Sequence, residues 1–296
     1  MIFAPPLHRV IEHVDRRVLG AFQFVDAVSG LPITLAAKTE VRSAILIGAG
    51  PETEVSVHEG NFQIRQNRSG FQVILRAPFF DEYASTFDDP ALPAETPAGR
   101  RLRLRLAVRD AGPHYLPREF EFNLPRSIAR ADADNVFRPA IVPLFRAPGA
   151  PVLGGWSVLR VRVTQTGTNG VRLPGVHLRV FSSPRSENDA AIGQGMTEWR
   201  GALRGEALVA IAGIARFLTG GPGVNVFETT QPVHLEATRD TNFTGDPDQF
   251  PGIPGITPGT ISRRSDPPIG AGFAMNPVAP LNIRAGREAT VELRMP

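Results

Sequence analysis

The sequence predicts an all-β protein: two tandem antiparallel β-sandwich domains, prealbumin- or Ig-like, joined by an ordered proline-rich linker. Three observations carry this. Gly (29) and Pro (28) are abundant and spread along all 296 residues, which favours short strands between tight turns over helices. Period-2 alternation recurs, most plainly in RLRLRLAV, where Leu102, Leu104 and Leu106 face a core and Arg101, Arg103 and Arg105 face out. A series of landmarks in the first half then returns, in the same order, in the second.

Residues 1–18 form an N-terminal arm. Leu7, Val10, Ile11, Val14 and Val18 recur at helical spacing, but the segment runs straight into a strand, so helix and extended arm both fit. Residues 19–126 read as the first domain. AFQFVDAV alternates, Ser29-Gly30 turns, Leu31-Pro32 restarts the chain, and VRSAILIG suits a buried strand. VSVHEG, NFQIRQN and GFQVILRA follow as short strands, RLRLRLAV comes next, and EFEFNL closes the domain. Residues 127–154 form the linker. FRPAIVPLFRAPGAPVLGG holds four prolines, which fix extended backbone, while Ile141, Val142, Leu144 and Phe145 are too apolar for a free tether. The segment should pack on a domain or a partner.

Residues 155–296 repeat the plan. VTQTGTNGVRLPG echoes VDAVSGLPI, RGEALVAIAG echoes RSGFQVILRA, PVHLEATRD echoes RLRLRLAVRD, and REATVELRMP echoes REFEFNLPR. Four ordered matches indicate an internal duplication with a period of about 140 residues. Residues 240–280 are a long Pro/Gly-rich loop with no counterpart, and loops of that length are usually functional.

The marks V-x-x-x-x-G-x-P-[IV] and, further on, G-x-[FA]-x-[VL] resemble the carboxypeptidase-regulatory-like family. They fall at Val25, Gly30, Pro32, Ile33, Gly70, Phe71 and Val73, and again at Val163, Gly170, Pro174, Gly175, Val176, Gly205, Ala207 and Leu208. The resemblance implies a transthyretin-like sandwich of about seven strands in each domain. It also implies an accessory role in binding, spacing or assembly.

Composition excludes several classes. There is no cysteine, hence no disulfide framework, thiolate metal site or thiol nucleophile. The pI near 10.1 against a net charge of +3 follows from basic residues that are all Arg except Lys38, so it argues little for nucleic acid. The Arg101/Arg103/Arg105 row lacks the interleaved aromatics of a nucleic-acid reader and fits a solvated sheet face. No long apolar run or signal-peptide core is present, so a cytoplasmic protein without a membrane partner is expected.

No catalytic motif emerges, and no enzyme activity, cofactor or small-molecule ligand is expected. The six histidines show no metal-ligand spacing. Asp240, Asn242, Asp246 and Asp248 begin like a calcium loop, but Pro251 stands where the bidentate Glu belongs, which favours a polar turn cluster. The expected function is a non-enzymatic structural or adaptor protein that contacts other subunits of an assembly, with a phage-tail-like or contractile injection particle as a setting by analogy. Its interaction residues are expected at Ile141, Val142, Leu144, Phe145, Phe250, Ile253, Ile256, Phe273 and Met275. The alternative is a glycan-binding module, which requires Trp199 to be exposed.

Overall fold

The computed structural model describes residues 18–33, 37–48, 50–58, 60–67, 70–80, 101–112, 114–127, 131–132, 135–152, 155–167, 170–182, 191–211, 230–251, 273–277 and 281–295. Residues 1–17 of the N-terminal arm, Ile253 and Ile256 lie outside them. The described residues form sixteen strands and no helix, so the protein is all-β.

The first half builds two four-stranded sheets. One holds β4 (Gln63–Gln66), β5 (Gln72–Arg76), β1 (Gly20–Asp26) and β8 (Ala140–Leu144), in that order. The other holds β3 (Thr53–Val55), β2 (Ala37–Ile47), β6 (Arg101–Asp110) and β7 (Arg118–Leu124). Both sheets feed one core: Phe22, Phe24, Ile74, Val142 and Leu144 from the first, Leu102, Leu104, Leu106, Phe122 and Leu124 from the second. The alternation read in β6 is realised, with its three leucines fully buried. Phe22 sits at the centre, its ring 5.3–5.6 Å from those of Phe24, Phe120 and Phe122.

The second half makes one eight-stranded sheet: β14 (Phe273–Pro277), β13 (Thr230–Asp240), β10 (Val176–Ser182), β11 (Gly193–Met196), β12 (Glu206–Ile211), β9 (Ser157–Gln165) and β16 (Glu288–Met295), with β15 (Leu281–Arg284) also pairing β13. One face, including Leu159, Val161, Leu178, Val180, Val209, Leu235 and Leu293, closes on a single core.

The two halves repeat each other down to register. Gly20 pairs with Ile74 as Leu159 pairs with Val209, and Phe22 pairs with Ala140 as Val161 pairs with Val291. The opening hairpins close alike: Asp26 N donates to Leu31 O as Gln165 N does to Val171 O, and Ile33 N donates to Phe24 O as Leu173 N does to Val163 O. In the second half β11 pairs with both β10 and β12 and so joins what remain separate sheets in the first.

Four expectations change. The proline-rich segment is not solely a connector, because its residues 140–144 are the edge strand β8; Pro143 fits there since an edge strand has backbone donors with no neighbour to serve. The sheets are not wholly antiparallel, since β8 runs parallel to β1 and β16 parallel to β9. By that pairing the counterpart of β16 is β8, not REFEFNLPR; the Arg-Glu entry and closing Pro mark strand ends and do not choose a neighbour. Finally, the 240–280 segment ends in β14, which adds antiparallel to β13 (Asp240 with Phe273, Glu236 with Pro277).

Candidate functional site

A cluster of aromatic and buried polar groups lies where the two halves meet. It is built outward from the Leu-Pro-Gly turn. Leu173 anchors in the second core, and Gly175 takes φ +68°, where a Cβ would stand 2.5 Å from the Phe243 ring. The fully buried Thr197 ties the turn down: its hydroxyl accepts from Val176 N at 2.8 Å and donates to Leu173 O at 2.9 Å. The next residue, Glu198, accepts from the backbone N–H groups of Trp199 and Arg200 through one carboxylate oxygen, and burial pushes its pKa up. These bonds fix Trp199.

Trp199 is 1% exposed. Its ring meets Phe243 and Phe250 edge-on, with centroids 6.3 and 6.2 Å away, and the Arg200 guanidinium lies 5.5 Å from Trp199 and 5.3 Å from Phe250. From the first half, Leu116, Phe145 and Ala147 complete this cluster together with Met196. A smaller patch packs Val28 of the first hairpin with Trp156, Val158, Leu208 and Ala210. Both patches lie on the face of the eight-stranded sheet opposite its own core.

The first half presents its side of the junction through a buried polar network. Asp26, 3% exposed, accepts from Val28 N and Ser29 N with one oxygen, and from Tyr115 Oη (3.1 Å) and Arg146 Nε (2.8 Å) with the other. Burial, reinforced by the Asp26 charge, pushes the Tyr115 phenol up to about 12. Arg146 also lies over the Trp156 ring at 5.0 Å, so one guanidinium links both halves. Arg118 donates to Pro143 O, and burial lowers it to about 10.

His177 faces this edge. It is 4% exposed, its ring is 5.3 Å from Phe145, and neither ring nitrogen has a hydrogen-bond partner within normal geometry. Burial, then the positive charge of Arg179, hold it down to about 3; the Gln194 side chain opposes the shift and the charge of Arg118 adds a smaller push.

Of the expected interaction residues, Val142 and Leu144 lie in the first core, Phe145 is buried in the junction, and Phe250 packs against it. These four serve the chain's own packing, because internal apolar contacts were available to them. Ile141 is half-buried in β8, and Phe273 and Met275 lie in β14. The Asp240–Asp248 stretch forms two local turns, with Asp240 capping Asn242 N (2.9 Å) and Asp246 capping Asp248 N (2.8 Å). Among the described residues no three His, Asp or Glu gather as metal ligands. Two arginines of the row are paired with acids, Arg103 with Glu52 and Arg105 with Glu119 and Glu121. Sequence reasoning missed Asp26, Tyr115, Arg146 and the junction itself; the Asp before the first turn was the available signal.

No helix among the described residues is long and apolar enough to cross a membrane. The chain matches no protein-family model and no curated protein. Among solved structures it is similar to the Bacillus anthracis TIE protein at 13% identity, over 92% of this chain and 38% of that one, with a TM-score of 0.19. A score that low carries no argument.

Proposed function

We propose that the chain is a non-enzymatic structural or adaptor protein: two tandem β-sandwich domains of the carboxypeptidase-regulatory-like kind, held as one piece and contributing protein–protein contacts to a larger assembly. The observation that carries this reading is the junction. The aromatic residues that could have lined a ligand groove (Trp199, Phe243, Phe250 and Phe145) are packed against one another and join the two halves. Two repeats fixed by an apolar contact set a distance and an angle, which suits spacing and assembly. The glycan alternative loses its main support, since Trp199 at 1% exposure has no face to offer a sugar ring.

The partners would be other protein subunits, and a phage-tail-like or contractile particle is the first setting to examine. The test is sedimentation of the native protein from gently lysed host cells, with mass spectrometry of what travels with it. Co-migration with fixed partners in a megadalton fraction supports the reading. Migration at the mass of a monomer or small oligomer contradicts it.

A further inference from the structure

Six described residues bury a side-chain polar atom with no hydrogen bond: Thr39, Arg118, His177, Trp199, Arg200 and Arg239. Four of them, Arg118, His177, Trp199 and Arg200, border the junction between the halves, Arg200 lying close enough to feel the charges of Arg109 and Arg42. A polar atom buried without a hydrogen bond gives up its hydration at a cost of order 1–3 kcal/mol. Within either core such defects would be hard to relieve. At a boundary between two separately cored halves, separation of the halves offers a route to relieve them.

We infer that this junction is an acid-released latch, with His177 as its proton-sensitive element: neutral imidazole lets the halves dock, and imidazolium drives them apart. The surroundings of the ring offer an imidazolium no carboxylate that is not already engaged. Across the junction stand Phe145 and the Arg118 guanidinium, itself already bonded to Pro143 O. On its own strand, Arg179 is ion-paired with Glu236 of β13 at 3.2 Å, so that carboxylate is already engaged. From β11 comes Gln194, and opposite on β13 lies the buried Thr238. None of these groups is a free anion. The undocked imidazole would titrate near 6.5 and the docked one far lower, so the open state binds the extra proton. Below pH 6.5 each further unit therefore shifts the ratio of open to docked chain by up to about tenfold. The latch is independent of which assembly the chain joins.

The test uses the full chain and two readouts from pH 7.5 to 4: small-angle scattering for the separation of the halves, and far-UV circular dichroism for their strands. The wild type should expand with its β signal retained, and His177→Gln should move the expansion midpoint down by at least one pH unit. His177→Met, apolar and non-titrating, guards against a glutamine-specific packing defect and should behave alike. Expansion of wild type and both variants at one common pH would overturn the latch. So would loss of the β signal together with expansion, or no expansion at all in this range.

Discussion

At Gly175 the backbone takes φ +68°, and a Cβ would stand 2.5 Å from the Phe243 ring; at Gly170, with φ +70°, nothing lies within 4 Å. The pair separates backbone strain from contact. Gly175→Ala should lower unfolding free energy by well over about 1 kcal/mol, and Gly170→Ala by clearly less, in parallel denaturant titrations. Equal losses would mean that Phe243 does not press on the turn. Trp199, boxed by Phe243, Phe250 and Met196, has little room to be replaced by collapse. Trp199→Ala should therefore cost about 3–5 kcal/mol in the same assay. The sequence makes Gly175 readable, because Leu-Pro-Gly is a turn signal. It gives no sign of the ring above it, since Phe243 comes from a loop 68 residues further on.

Among elements, the first hairpin depends on Asp26, which caps its turn and holds Arg146 from the far end of the first half. The pair is buried, with side chains 4% and 12% exposed. Asp26→Ala should thus destabilise by about 3–5 kcal/mol, mostly by stranding the guanidinium. Tyr115 supplies a pH signature for the same network. Its phenol stays protonated in the folded chain up to about 12 while the unfolded chain releases that proton near 10. The unfolded state binds fewer protons between those values, so this contribution to stability falls as pH rises from 10 to 12. Tyr115→Phe removes it, and the stability gap between wild type and variant should narrow across that window. A gap that stays constant would place the phenol in water. Strand β6 was legible because period-2 alternation with leucine on one face admits few other readings. Strand β8 was not, because Pro139 and Pro143 look like breakers until the strand is known to lie at an edge. Parallel pairing of β8 with β1, and of β16 with β9, joins residues more than a hundred positions apart, which no local pattern encodes.

For the whole molecule, three of the four ordered landmarks point to the repeat that the matched registers of β1 and β9 display, while the fourth paired REATVELRMP with the wrong strand. What the landmarks could not convey is how the copies sit together. That depends on outward-facing residues such as His177 and Met196, which alternation alone assigns to solvent. At neutral pH the two halves should act as one body. Because the chain has no cysteine, a Val57→Cys, Val171→Cys double variant carries only the two thiols, both at exposed positions and one in each half. Spin-label distance measurement on that pair at pH 7.5 tests the claim most directly. A single narrow distance distribution is predicted. A broad one, as from two halves swinging on a tether, would contradict it.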